Sequence, residues 1–93
     1  MAKNIFISYD LKAPGQNYTN LIEEIKKIGD WAHVQGSLWH VKSNLTPTQI
    51  RDLLLPRMDK NDSLIVIDAS NNVVSWSNVS TAVAEHFNAT WNV

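Results

Sequence analysis

Two aspartates, Asp10 and Asp62, have the side chains and the positions in this sequence that could support chemistry. Asp10 ends the apolar run "NIFISYD", and Asp62 precedes the run "SLIVID". Carboxylates and a hydroxyl that meet at one point could hold magnesium or manganese, because such hard cations prefer oxygen ligands. A metal ion bound there could activate water for attack on a phosphodiester. The alternative is structural: Asp10 would accept backbone N–H groups in an Asx-turn, and Asp62 would lie in the turn "NDS".

The three histidines do not add a metal motif. His33, His40 and His86 lack the spacing of a zinc site, and neither a cysteine nor an HExxH sequence accompanies them. We therefore expect structural or exposed histidines. The absence of cysteine also excludes disulfides, thiolate zinc sites and cysteine nucleophiles.

Composition and charge describe an ordinary globular chain. Its 93 residues are 44% hydrophobic and 18% charged, which is too apolar for disorder and sufficient for one modest core. Eight Lys and Arg against nine Asp and Glu give a net charge of -1, so the basic face that nucleic-acid binders usually carry is not indicated. No run approaches the ~18 apolar residues of a membrane span and no signal-peptide pattern opens the chain. We predict a cytoplasmic protein with no membrane partner.

The first half of the chain predicts a strand, a helix and a further strand region. Residues 3–9 are rich in β-branched and aromatic side chains, which is typical of a buried strand, and a Pro-Gly loop follows. Asn17 is the expected N-cap of a helix with apolar residues at helical spacing, and Gly29 is its expected C′ residue. Residues 31–43 are strand-like on both sides of Gly36, which is either a tight turn or a bulge.

The second half predicts a helix, a strand and a last helix. "TPTQ" at 46–49 has the residues of a capping box with proline at the first helical position, and Pro56 should kink or shorten the end of that helix. Residues 63–69 predict a strand. A last helix from about Asn78 carries one apolar stripe, which we expect to dock on the domain or on a partner. The stripe consists of Val79, Val83, Phe87 and Trp91.

This order of elements predicts an α+β fold, a ferredoxin-like βαββαβ sandwich with an added C-terminal helix. We expect one domain over residues 1–93, with a core at 3–69 and an extension at 70–93. Right-handed crossovers give the strand order last, first, third, second. Both helices would cover one face of the sheet. The other face would expose Phe6, Val66 or tryptophans, so we expect a partner chain or the C-terminal helix to cover it.

The predicted topology also places polar residues around Asp10. The end of the first strand lies beside the starts of the third and the last strands, because both run antiparallel to it. Asp10 should then have Ser37 and Asp62 as neighbours, with Gln35 close by. This juxtaposition is the reason to consider a metal site at this end of the sheet.

Several short motifs resemble those of the CRISPR-associated Cas-two family and its SinR-like relatives. The opening strand ending in "SYDL" is similar to the family's hydrophobic strand that ends in a Tyr-Asp pair, here Tyr9 and Asp10. "VQGSLWHVK" resembles its second strand region. "LTPTQIRDLL" followed by "NDSLIVID" matches the later helix and strand in kind and order. The resemblance covers roughly residues 3–69.

The resemblance implies a ferredoxin-like homodimer in which the Asp10 carboxylates of two subunits face each other near the interface. Some members of that family are metal-dependent nucleases, and others are scaffolds that hold DNA for spacer integration. Two functions therefore stay open. One is a magnesium- or manganese-dependent endonuclease that uses Asp10, with Lys12 as the only basic residue in the following loop. The other is a non-catalytic dimeric interaction module, linked to nucleic-acid or defence systems, that binds another protein through the open sheet face.

Overall fold

Four β-strands and three α-helices lie within the residues that the structure describes, 2–12, 18–70 and 74–91 of a computed structural model. In chain order the elements are β1 (Lys3–Asp10), α1 (Thr19–Lys26), β2 (Asp30–Gln35), β3 (Leu38–Ser43), α2 (Pro47–Leu54), a 3-10 turn (Leu55–Arg57), β4 (Ser63–Asp68) and α3 (Thr81–Thr90). The predicted Asn17 N-cap lies outside the described residues.

The strands form one antiparallel sheet in the order β2-β3-β1-β4. The predicted order is last, first, third and second strand, that is β4-β1-β3-β2. The two orders are the same, read from opposite edges of the sheet. β1 is central and pairs with both β3 and β4, which leaves β2 and β4 as the edge strands. The fold is thus a mixed α+β arrangement with a four-stranded sheet and three helices.

One face of the sheet, called here the helix face, carries the main hydrophobic core. Side chains alternate between the two faces of a strand, so every second residue of β1 and β3 points toward α1 and α2. Burying each large apolar side chain contributes roughly 1.5–3 kcal/mol, which makes this layer the principal source of stability. The buried cluster consists of Ile5, Ile7, Leu21, Ile25, Trp39, Val41, Ile50 and Leu54.

The opposite face, called here the α3 face, is partly covered by α3. Val83 and Phe87 are buried, and the ring of Phe87 packs against those of Phe6 and His40. The expectation that Val66 lies on an uncovered face is wrong, because Val66 pairs with Ile7 and shares its helix-facing side. The residues of β4 that do face the α3 side are Ile65 and Ile67, and both are exposed.

The start and end of α2 follow the predicted local chemistry. Thr46 Oγ1 accepts a hydrogen bond from the Gln49 N–H at 3.2 Å, and Gln49 Oε1 accepts one from the Thr46 N–H at 2.9 Å. This reciprocal capping box satisfies two helix-end donors that would otherwise be unpaired. Pro56 lies in the 3-10 turn, so the prediction that it shortens the helix is confirmed.

Two predicted helix boundaries are wrong. α3 begins at Thr81 and not near Asn78, because Ser80 caps the helix by accepting from the Val83 N–H. Gly29 is not a left-handed C′ residue, since Gly36 is the described glycine with a positive φ. Gly29 is required for a different reason: a β-carbon there would collide with the backbone carbonyl of Lys42.

Of the two roles that the sequence left open for Gly36, the structure shows the tight turn between two strands. The Gly36 φ of +44° lies in the region that favours glycine, and Gly36 forms the turn between β2 and β3. The register of these strands also shifts between His33 and Gln35, which places a bulge beside the turn. The segment is therefore a hairpin with an irregular β2 strand.

Candidate functional site

Asp62 is a tether between three segments of the chain. Its Oδ1 accepts a hydrogen bond from the Lys12 N–H at 2.7 Å, and its Oδ2 accepts one from the Asp59 N–H at 2.8 Å. The Tyr18 hydroxyl lies 3.0 Å from Oδ1 and 2.8 Å from Oδ2. Both oxygens are thus engaged by protein donors, which hold the exit of β1 and the start of α1 beside the turn before β4.

The pKa of the Asp62 carboxyl lies below its ordinary value. Burial by itself raises this pKa, but the hydrogen bonds from Lys12, Tyr18 and Asp59 favour the ionised form and outweigh it. The carboxylate therefore stays charged at neutral pH and keeps its donors. This arrangement resembles the predicted turn role more than that of an open metal ligand.

Asp10 lies at the end of β1, opposite Ser63 of β4. Its side chain is 70% exposed, and its Oδ2 lies 3.7 Å from Lys12 Nζ in an exposed ion pair. Such pairs contribute little, because solvent screens both charges. Asp10 is consequently a solvent-accessible carboxylate that forms an ion pair with Lys12.

Of the other predicted neighbours, Ser37 reaches the end of β1 through its backbone. The Ser37 carbonyl accepts a hydrogen bond from the Tyr9 N–H at 3.3 Å. Gln35 is exposed at the end of β2, where it pairs with Leu38. Within residues 2–12, 18–70 and 74–91, no group of three or more His, Cys, Asp or Glu side chains converges in the manner of a metal centre.

An aromatic row crosses the helix face near the same end of the sheet. The rings of His33 and Trp39 stack with centroids 4.3 Å apart and an interplanar angle of 2°. Trp39 Nε1–H donates a hydrogen bond to Tyr9 Oη at 3.0 Å. The sequence pattern did not reveal this row, because recognising it requires the strand register that pairs His33 with Trp39.

A buried polar chain lies under α3. His40 is fully buried, with its Nδ1 2.7 Å from His86 Nε2 and its Nε2 3.2 Å from Asn4 Oδ1. Because Asn4 Oδ1 can only accept, His40 Nε2 carries the proton and His40 Nδ1 accepts from the His86 N–H. The spacing of 46 residues between the two histidines gave no signal of this contact.

The pKa of His40 is lowered to about 4, mainly by burial and in smaller part by the neighbouring His86 and Lys42. Burial also lowers the pKa of His86, although Asp30 acts in the opposite direction. Both imidazoles are therefore neutral at physiological pH. They function as hydrogen-bonding groups of the packed interior and carry no charge there.

A cavity of about 330 Å³ lies beside the Phe87 side of α3, between the helix, the preceding segment and the hairpin. Val79 lines this cavity just before the helix, and Trp76 stacks on Phe87 with centroids 5.2 Å apart. Trp91 follows the last turn and packs against Phe6 at 5.8 Å. The stripe predicted for the last helix thus contacts the sheet of its own chain.

Neither a family model nor a curated protein matches the chain. In the part of the chain that the structure describes, no helix is long and apolar enough to cross a lipid bilayer.

Proposed function

We propose that this chain is a small cytoplasmic interaction module that acts as a homodimer and has no catalytic activity of its own. We further propose that its fold is the ferredoxin-like βαββαβ sandwich of the Cas-two and SinR-like proteins, extended by α3. The strand order β2-β3-β1-β4 and the packing of α1 and α2 on one face support that arrangement. A homodimer of this kind would act by presenting a surface to a protein or nucleic-acid partner.

The exposed apolar residues of β4 carry the proposal. Ile65 is 59% exposed and Ile67 is 51% exposed, and the two lie side by side on one face of an edge strand. Single exposed apolar residues are common on protein surfaces, but adjacent ones on an edge strand are typical of a protein interface. A partner that covers them would remove apolar area from water at both residues.

The state of the two aspartates is the reason to prefer binding over catalysis. Asp62 directs both carboxylate oxygens at protein donors, and within the residues that the structure describes the ion-pair partner of Asp10 is Lys12. A nuclease needs cations or amides to position a phosphate backbone as well as a metal ligand. The net charge of -1 gives no general attraction for a polyanion.

Light scattering coupled to gel filtration tests the proposal. At micromolar concentration we expect twice the chain mass of 10.5 kDa. A monomer at that concentration would contradict the proposed homodimer. Light scattering repeated in about 1 M salt should still give the dimer, because an apolar interface is not screened by ions.

The exposure of Asp10 supports a second candidate, a metal-dependent endonuclease acting on RNA or DNA. Its 70% exposed carboxylate is accessible to magnesium or manganese in a way that Asp62 is not. Cleavage should then require the metal and disappear in Asp10→Asn, whereas Asp52→Asn, an exposed carboxylate on α2, should leave it unchanged. We expect no metal-dependent cleavage by the wild type. Cleavage lost only in Asp10→Asn would replace the proposed function with this one.

A further inference from the structure

The outer edge of β4 has backbone groups available for pairing. The Ala69 N–H donates to the Asn4 carbonyl at 2.8 Å, which shows that odd-numbered residues at this end of β4 direct their backbone groups toward β1. Because these directions alternate along a strand, Leu64, Val66 and Asp68 direct their N–H and C=O groups away from the sheet. The described strand pairings of β4 are all with β1.

The side chains along this edge do not protect it. Natural edge strands usually carry a lysine, a proline or a bulge, or are covered by another element. From Ser63 to Ile67 the strand has no charged residue, no proline and a regular register. On the helix face the start of α2 and the side chains of Leu64 and Val66 line an open cleft of about 210 Å³, so α2 does not close over the edge.

We propose that a second copy of the chain pairs with β4 in antiparallel orientation about a two-fold axis at Val66, which makes one continuous eight-stranded sheet. This inference rests on the proposed function and specifies the surface that the homodimer uses. It differs from the dimer that the resemblance implies, because Asp10 lies opposite Ser63, three positions from the axis, and the two Asp10 carboxylates do not face each other. Val66 exchanges both backbone hydrogen bonds with the partner's Val66. Leu64 does the same with the partner's Asp68, since these residues direct their groups outward.

The symmetry of the strand is the argument for a second copy as the occupant. In this register Ile65 lies opposite the partner's Ile67, and Ile67 lies opposite the partner's Ile65. Both contacts use the same surface of each copy, so the interface is closed. These are non-hydrogen-bonded pairs, in which Cα atoms are only about 4.5 Å apart and side chains pack most closely. An axis at Ile65 would place Ile67 opposite Ser63, and an axis at Ile67 would place Ile65 opposite Ala69. Only the axis at Val66 pairs isoleucine with isoleucine at both positions.

The charges of the strand are compatible with this pairing. Asp68 is its one charged residue, and the register offsets the two Asp68 residues by four positions along the strand. At about 3.3 Å per residue their separation is roughly 13 Å, longer than the Debye length of ~8 Å at physiological salt. Repulsion between the two copies at this interface is therefore largely screened.

Single cysteines test the register, because the native chain contains none. Ile65→Cys and Ile67→Cys are prepared separately, mixed at high dilution, reconcentrated and mildly oxidised. We expect a disulfide-linked heterodimer in the mixture, since opposed residues lie within the Cα range of a disulfide. Either variant alone should crosslink poorly, because identical positions are diagonal neighbours about 7–8 Å apart. Leu53→Cys, exposed on α2, replaces Ile65→Cys in a control mixture that should not crosslink with Ile67→Cys.

The outcomes separate this inference from the proposed function. A heterodimer crosslink confined to the first mixture supports β4 pairing about Val66. A light-scattering dimer without that crosslink, or with a crosslink stronger in Ile65→Cys alone, overturns the register and leaves the homodimer standing. A monomer overturns both. Capture of a different protein by a chain that stays monomeric would assign the edge to a foreign strand and also contradict the inference.

Discussion

His40 and His86 form a hydrogen bond of 2.7 Å between Nδ1 and Nε2 that joins the central part of the sheet to α3. His40 belongs to β3 and is fully buried, while His86 is half-buried on the helix that covers it. The aromatic rings of Phe6, Phe87 and Trp91 surround this pair, with centroids 5.2 to 6.0 Å from one or other imidazole. An added proton would therefore enter an apolar layer.

Acid should destabilise the protein through His40. Its pKa is about 4 in the folded chain and near its ordinary 6.5 when unfolded, so between these values the unfolded chain binds more protons. The stabilisation is complete above pH 6.5 and is lost as the pH falls toward 4. The shift corresponds to about 3 kcal/mol in the free energy of unfolding. Urea denaturation at a series of pH values from 8 to 4 measures it.

Two variants separate this effect from general acid denaturation. His40→Gln removes the group with the larger shift and should reduce the dependence between pH 6.5 and 4, while His86, whose pKa is also lowered, retains the rest. His33→Gln, an exposed histidine on the helix face, should keep the wild-type slope. Lys42 and Asp30 are the charged neighbours of this histidine pair and are unchanged in both variants. An unaltered slope in His40→Gln would show that another group is responsible.

Truncation of Phe87 should test how firmly α3 is attached. Its side chain is 2% exposed and contacts Phe6, His40 and Trp76. Phe87→Ala should lower the free energy of unfolding by about 3 kcal/mol, as buried aromatic residues typically do. Leu53→Ala, at a 42% exposed position, should change it by no more than about 0.5 kcal/mol. Equal stabilities for the two variants would mean that α3 is a loose appendage.

Loss of the Tyr18 hydroxyl should raise the pKa of Asp62. The hydroxyl lies within hydrogen-bonding distance of both carboxylate oxygens, and bonding to the ionised form lowers a carboxyl pKa. An NMR titration of the Asp62 carboxyl carbon in Tyr18→Phe measures the change. Tyr9→Phe is the matched control, because its hydroxyl accepts from Trp39 Nε1. An equal rise in both variants would refute the direct role of Tyr18.

The capping box of α2 should have a measurable share of the stability. Thr46→Ala removes the oxygen that accepts from the Gln49 N–H and should cost about 1 kcal/mol. Thr48→Ala, exposed in the same first turn, supplies the control and should have a smaller effect. Thermal unfolding followed by circular dichroism compares them. A Thr46→Ala protein as stable as the control would show that water replaces the cap.

The sequence predicted those features that depend on neighbouring residues. The capping box at Thr46, the end of α2 near Pro56 and the strand around Val66 each follow from a few adjacent side chains. The strand order also followed, because crossover handedness leaves few topologies for this order of elements. Local chemistry and one topological rule were sufficient for the α+β class and the order of the strands.

The site was less predictable because its contacts join distant parts of the chain. Asp62 was placed near Asp10 by topology, but its bond to Tyr18 spans 44 residues and converts it from an open carboxylate into a tether. The face of the sheet on which Val66 lies depends on the strand register, because a shift of one residue would move every side chain of the strand to the opposite face. The role of Gly29 depends on the approach of Lys42, which no pattern around the glycine records.

The central position of β1 also has a consequence for biosynthesis. One side of β1 can be paired once Ser43 has been made, but the other side needs β4, which ends at Asp68. At roughly 5–20 residues per second, translation of the intervening stretch takes about 1–5 s. During that interval the emerging chain carries a half-built sheet whose innermost strand has an open flank.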